Sequence, residues 1–133
     1  MKLRQIDAEY VARSFIRKMV EDPETVRGTL PDSWSPQKGV IITVQSDGTQ
    51  VSQTAWTEEA VRVSVHGDTK PLVRSILSRI DAQIQGTHIA LGGVSVKTQL
   101  GMIVTPSSLR GGYIASITYV IKHHRMTIPM MEN

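Results

Sequence analysis

Ser64, His66 and Asp68 occupy alternate positions of one short stretch, and their side chains are of the types that act as nucleophile, base and orienting group in hydrolases. On an extended strand, residues two positions apart share a face, so the hydroxyl and the imidazole would lie on the same side. A nucleophile elbow places the serine on a sharp turn between a strand and a helix, and no such turn surrounds Ser64. The stretch therefore does not predict a catalytic triad.

The histidines and glycines also lack the spacing of a known site. His123 and His124 are neighbours, so on a strand their side chains point to opposite faces and cannot readily bind one ion. The chain has no cysteine, which excludes disulfides, thiolate metal sites and cysteine nucleophiles. Gly92, Gly93 and Lys97 do not have the spacing of a phosphate-binding P-loop. We expect no metal, no cofactor and no enzymatic activity.

The composition predicts one domain over residues 1–133. Its 133 residues are 40% hydrophobic and 20% charged, which suits a single core and leaves little room for two domains. No apolar run is long enough to span a bilayer, so we expect no membrane association. The net charge is +3, and residues 82–131 contain no Asp or Glu. This acid-poor last third would suit a polyanion or an acidic partner protein, with an ordinary solvated face as the alternative.

The first half of the chain predicts a helix, a connector and a strand. Over 7–21, apolar residues recur every three or four positions, as in a helix with one buried face, and Glu9 and Arg13 have the spacing of an ion pair. A connector rich in Gly, Pro and Ser follows over 24–38. Within it, Trp34 either caps the edge of the core or projects toward a partner. The apolar run 39–44 predicts a buried strand.

The stretch 60–85 is the strongest fold signal in the chain. Its valines alternate over 60–66, as in a strand with one buried face, and its apolar residues then recur at helical spacing as far as Gln85. A strand and a helix joined by so short a turn can cover each other. The stretch therefore predicts a scaffold rather than a reaction centre.

The remaining segments complete a predicted α+β domain. Asp47 and Gly48 indicate a hairpin, and the polar residues after them predict a protruding arm over 46–59. Strands are predicted over 101–106 and 113–123 and a flexible tail over 126–133, whereas 88–101 matches no pattern. The predicted order is α-β-β-α-β-β. Two helices pack on a mostly antiparallel or mixed sheet of about four strands, which carries a long β-hairpin arm.

The order of these segments resembles the tail terminator proteins of long-tailed phages, especially those infecting actinobacteria. The resemblance is carried by LPDSWSP, GVIITVQSDG, AVRVSVHGD and KPLVRSILSRIDAQI, between a first helix and two late strands. Its most specific part is VRVSVHGDTKPLVRSILSRI. Neighbouring head-tail connector or stopper proteins have a similar pattern of core residues and are the alternative. The resemblance implies a structural virion protein. Such a protein forms a ring that caps the tail tube, ends tube polymerisation and joins the tail to the head connector.

The resemblance also implies partners and a location. The expected partners are further copies of the chain in a homohexameric ring, the tail tube protein, the head-tail connector protein, and DNA that passes through the lumen without sequence-specific binding. The expected location is the virion, at the junction of head and tail, and the host cytoplasm during assembly.

Two groups of residues are candidates for the surfaces that such a ring needs. The candidates for a subunit or partner interface are Trp34, Asp47, Gln50, Trp56 and Glu58. The candidates for lining the lumen or facing an acidic partner are Arg110, Lys122 and Arg125. A small basic nucleic-acid-binding module is the alternative from a different class, although the chain has no helix-turn-helix pattern and no dense basic stripe.

Overall fold

The computed structural model describes residues 2–4, 8–52, 56–86, 95–108, 110–124 and 126–128. In chain order the elements are β1 (Lys2–Arg4), α1 (Ala8–Arg17), β2 (Val26–Arg27), β3 (Ile41–Ser52), β4 (Trp56–Gly67), α2 (Lys70–Gly86), β5 (Ser95–Pro106), β6 (Tyr113–His124) and β7 (Met126–Ile128). Short 3-10 turns lie at Pro23–Thr25 and Pro36–Lys38.

The larger sheet has the strand order β2-β3-β4-β6-β5, in which β2 is parallel to β3 and the other neighbours are antiparallel. The chain is therefore a single α+β domain with a mixed sheet, as the sequence predicts. The predicted count of about four strands and the order α-β-β-α-β-β need correction. The fifth strand, β2, lies inside the predicted connector 24–38 and has only two residues, which is too short for a periodic signal.

Two further strands join the ends of the described chain. Met126–Ile128, at the start of the predicted flexible tail, pairs antiparallel with Lys2–Arg4 in a separate two-stranded sheet. Residues 129–133 of that predicted tail lie outside the described residues. The pairing of strands so far apart in sequence has no local signal, which is why periodicity alone missed both.

Both helices pack on one face of the larger sheet. α1 lies over β3, β2 and β4, and α2 lies over β6, β4 and β5. The predicted inward side chains of β4, Val61, Val63 and Val65, are buried beneath them. The core continues through a group of fully or nearly fully buried apolar side chains from the other elements: Ala8, Ile16, Val44, Val73, Leu77, Ile80, Ala115, Ile117 and Ile121. The strand and helix of residues 60–85 thus form the centre of the fold.

Helix α1 is shorter than the predicted span 7–21 because its last turn tightens. The Lys18 N–H donates to the Phe15 carbonyl and the Met19 N–H to the Ile16 carbonyl, at 3.2 and 3.0 Å, which are bonds of the 3-10 type. Met19 still packs against the core. The apolar repeat therefore continues past the end of the helix itself.

The strands β3 and β4 extend through the predicted arm 46–59. Asp47 and Gly48 do not form the predicted hairpin turn; they lie within β3, where the pairing with β4 is irregular between Ser46 and Gln50. The Ser46 N–H at this irregularity donates to Glu9 Oε1 of α1 at 2.6 Å. Residues 53–55, between the two strands, lie outside the described ranges.

The returning half of the predicted arm belongs to the interior of the sheet. Residues 57–59 pair with 50–52 of β3 on one side, and 56–59 pair with 121–124 of β6 on the other. Glu59 is buried. The expectation that this segment stands away from the core is therefore wrong at Glu59, because β6 is long enough to reach it.

Candidate functional site

A polar cluster lies on the face of the sheet opposite the two helices, at the end nearest the connector. The side chains of Thr43 on β3 and His66 on β4 project from this face, and Thr43 Oγ1 and His66 Nε2 share a hydrogen bond of 3.0 Å. The indole ring of Trp34 packs edge-on against the imidazole, with 6.0 Å between ring centroids. His66 is only 8% exposed, so the connector closes this end of the sheet.

Burial decides the charge state of His66. Desolvation by burial, and to a lesser extent the nearby positive charge of Arg110, together lower the pKa of the imidazole to about 4. His66 Nδ1 is buried and has no hydrogen-bond partner among the described residues. At neutral pH the ring is therefore uncharged and forms part of the packing under the connector.

Arg110 holds the connector in place from the turn between β5 and β6. Three carbonyl oxygens, those of Pro31, Asp32 and Trp34, lie 2.9, 2.6 and 3.2 Å from its Nη1 atom. The Asp32 carboxylate is 3.8 Å from Nη2 but fully exposed, so that ion pair contributes little. The Nη1 atom of Arg110 is thus used by the connector, while the side chain is partly exposed. The assignment of Arg110 to a lumen or to an acidic partner stays a prediction.

Trp34 is more buried than Asp47 and Glu58, the other predicted interface residues whose burial the structure describes. It is 7% exposed, and its indole N–H donates to the Gly39 carbonyl at 2.8 Å. The indole ring packs against His66 and its N–H is bonded to Gly39, so both parts of the side chain make contacts within the molecule. This is the arrangement of a residue that caps the edge of the core, which was the first of the two alternatives for Trp34.

Ser64, His66 and Asp68 do not have the geometry of a catalytic triad. The Ser64 hydroxyl lies 2.8 Å from the Ser116 hydroxyl on β6, and His66 uses Nε2 for Thr43. Asp68 is exposed beyond the end of β4. Ser64 and His66 share a face, as alternation requires, but neither makes the contact by which a base would activate the hydroxyl.

The other predicted interface residues lie on β3 and β4, in the half of this antiparallel pair that is farther from Trp34; we call this half the hairpin end. Asp47 is exposed and forms an ion pair with Arg62, with 3.4 Å between the charged atoms. Gln50 is paired with Glu59 through the backbone, and Trp56 with His124; their side chains lie outside what the structure describes. The arrangement brings these positions to one end of the sheet, away from Trp34.

Glu58 and Lys122 lie opposite each other on neighbouring strands. They are paired residues of β4 and β6, and both side chains are partly exposed. Opposite charges at paired positions favour the antiparallel alignment. Lys122 is thus a partly exposed cation near the ends of β3 and β4 that lie farthest from Trp34. Arg125 lies outside the described residues.

The described part of the molecule offers little space for a small ligand. An apolar cavity of about 10 Å³ lies between α1 and the sheet, lined by Phe15, Val61 and Tyr119 among others, and is about the size of one water molecule. A more open cavity of about 190 Å³ lies beside Lys70, Arg74, Met102 and Val104. Both are below the range of roughly 300–1,000 Å³ that is usual for ligand pockets.

Within the described ranges, no group of three His, Asp or Glu side chains is placed to hold a metal ion. No helix in this part of the chain combines the length and the apolar character needed to cross a bilayer.

An exposed apolar surface on β5 was not predicted. Leu100 and Ile103 are 53% and 47% exposed, and their partners Thr118 and Ser116 place them on the face opposite the helices. The only hint in the sequence was the broken alternation after Val96, which left 88–101 unassigned. The irregular pairing of β5 with β6 explains why a strict period of two was not visible there.

These observations describe a small α+β scaffold. Its buried polar side chains make contacts within the molecule, and its edge strand β5 carries an exposed apolar surface. Comparison with known families and with curated proteins finds no match for the chain.

Proposed function

We propose that the chain is a structural virion protein that forms a ring on the end of a phage tail tube, stops tube polymerisation and joins the tail to the head connector. The observation that carries the proposal is the position of residues 60–85. The valine strand and the helix on which the resemblance to tail terminators rests are β4 and α2, at the centre of the sheet. A resemblance confined to a loop or a terminus would carry far less weight.

The chemistry of the described residues supports a role without catalysis. Ser64 and His66, which are of catalytic residue types, make hydrogen bonds within the sheet: Ser64 with Ser116, and His66 with Thr43. Arg110 holds the connector through three of its carbonyl oxygens. Such contacts stiffen a scaffold, which is what a ring subunit needs in order to present its surfaces at fixed angles.

The proposed partners are further copies of the chain, the tail tube protein and the head-tail connector protein. Within this proposal, Arg110, Lys122 and Arg125 are the cations that line the lumen or face an acidic partner. Asp47 and Glu58, at the hairpin end, are the described side chains proposed for a partner contact. DNA passes through the ring by non-specific contact, and the ring resides at the junction of head and tail.

Electron microscopy of the purified protein, with and without its tail tube protein, tests the proposal. We expect rings of uniform symmetry seated on tube ends, and shorter tubes of narrower length distribution when the protein is added during tube assembly. Tube protein alone is the control. A protein that stays monomeric and leaves the tube lengths unchanged would refute the proposal.

The same preparation separates the neighbouring functions. A stopper or connector would bind the head-side connector and leave free tubes uncapped. A nucleic-acid-binding module would bind DNA as a monomer, and its affinity would fall steeply with salt. Either result would replace the tail terminator assignment with a different one.

A further inference from the structure

The exposed surface on β5 lies at the outer edge of the sheet. Leu100 and Ile103 are the two most exposed large apolar side chains among the strand residues whose burial the structure describes. Lys97 is also exposed, and its partner Val120 places it on the same face as the two apolar residues. We call Lys97, Leu100 and Ile103 the β5 surface. It combines apolar area with positive charge on a face that neither helix covers.

The backbone of β5 argues against simple strand addition at this edge. Its pairing with β6 is irregular between Thr98 and Leu100 and again between Leu100 and Ile103. Irregularities of this kind bend an edge strand and interrupt the row of free backbone groups that another strand would need. A partner at this surface must therefore be held mainly by side chains.

The opposite edge of the sheet carries the complementary charge. Glu21, Asp22 and Glu24 are exposed around Pro23, in the turn that leads from α1 into β2. We call these four residues the acidic turn. Asp22 caps the turn, accepting the Glu24 N–H at 3.1 Å, so the backbone that presents the carboxylates is ordered. The exposed Pro23 ring adds apolar area between them.

The two surfaces cannot meet within one molecule. The acidic turn adjoins β2 and the β5 surface lies on the last strand of a five-stranded sheet. With neighbouring strands about 4.8 Å apart, the two edges are separated by roughly 19 Å. Contact between them requires two copies of the chain, arranged head to tail, and repeated head-to-tail contacts close into a ring when the rotation allows it.

We propose that the β5 surface of one copy packs against the acidic turn of the next copy, and that this is the subunit contact of the ring. The inference rests on the proposed ring and goes further by naming the two surfaces that form it. Leu100 and Ile103 would pack on Pro23, and Lys97 would face the carboxylates of Glu21 and Glu24. Opposite charges across such a contact fix which surfaces meet more than they add affinity.

Charge exchange between the two surfaces tests the contact. Lys97→Glu alone, and Glu21→Lys with Glu24→Lys, should each weaken ring association by about fivefold, as expected for exposed charges at the rim of a contact. The combined variant should recover most of that loss, because the charges are again opposite. Leu100→Ser should weaken association by about tenfold or more. Arg79→Glu, on the exposed side of α2, is the matched control and should have no effect.

Sedimentation velocity over a range of protein concentrations measures the association, and thermal unfolding of each variant checks that it is folded. Rings that form normally in all the variants would overturn the named contact while leaving the tail terminator proposal intact. Rings weakened by both single exchanges but not recovered by the combination would also overturn it. Wild-type protein that forms no rings, with or without tubes, would overturn both proposals.

Discussion

Lowering the pH should destabilise the fold through His66. The imidazole lies beneath the connector, bonded to Thr43 and packed against Trp34, and it is 8% exposed. Burial, with a smaller contribution from the charge of Arg110, lowers its pKa from 6.5 to about 4. In the unfolded chain the same group takes up a proton near pH 6.5, so between these values the unfolded state binds more protons than the folded state.

The unfolding free energy therefore depends on pH through His66. Stability from the neutral ring is fully present above pH 6.5 and is lost as the pH falls toward 4. A shift of this size corresponds to about 3 kcal/mol of unfolding free energy. That value is an upper bound, because a local opening of the connector would hydrate the charged ring before the whole domain unfolds.

Urea unfolding of the wild type and of His66→Gln, at several pH values from 7 to 4, measures the effect. Carboxylates titrate in both proteins, so the difference between their unfolding free energies isolates the histidine. We expect this difference to shift by up to about 3 kcal/mol in favour of the variant as the pH falls. The protein is kept dilute so that ring association does not contribute.

A difference that stays constant from pH 7 to 4 would refute the reasoning, because it would mean that the imidazole is hydrated in the folded state. Arg110→Met gives a second check. Removing the nearby positive charge should raise the folded-state pKa of His66 toward 6.5, so the loss of stability between pH 6.5 and 4 should become smaller. A loss of unchanged size would remove Arg110 from the explanation.

Three further substitutions test contacts that hold the elements together. Gly112→Ala should destabilise the fold by about 2 kcal/mol or more, because the residue has a φ of 73° and an added Cβ would collide with the Gly67 carbonyl. Tyr119→Phe should lower the unfolding free energy by about 1.5–3 kcal/mol, since the buried hydroxyl donates to Asp81 Oδ1 at 2.7 Å. Arg110→Met should destabilise by about 1–3 kcal/mol and increase proteolysis within the connector, because three carbonyls lose their donor. Urea unfolding measures all three, and limited proteolysis with mass spectrometry locates the cleavage.

Matched variants control for the substitution itself. Gly111→Ala has a similar φ of 79° but no close neighbour, so it should cost only about 1 kcal/mol. Arg74→Met, on the exposed side of α2, should leave the connector protected. If either control matches its test variant, the specific contact is not the cause. For Tyr119→Phe, an unchanged unfolding free energy would mean that Asp81 finds another donor at no cost.

Periodic patterns of apolar side chains were sufficient to predict three elements of the fold. The valines of 60–66 and the apolar stripe of the following helix predicted β4 and α2, and the repeat beginning at Ala8 predicted α1, because burial of one face requires a period of two or 3.6. The same reasoning predicted the class of the fold and placed Val61, Val63 and Val65 in the core, where the structure has them.

Contacts between segments that are distant in sequence could not be predicted from such patterns. Arg110 binds carbonyl groups up to 79 positions away, β2 pairs with β3 through two residues, and β1 with β7 through three. The Asp47–Gly48 pair lies in an irregular strand because the neighbouring strand β4 continues past it. Likewise, the acidic turn and the β5 surface reach opposite edges only through the order of the strands. A local pattern records which side of an element is buried, whereas these features depend on which other element covers it.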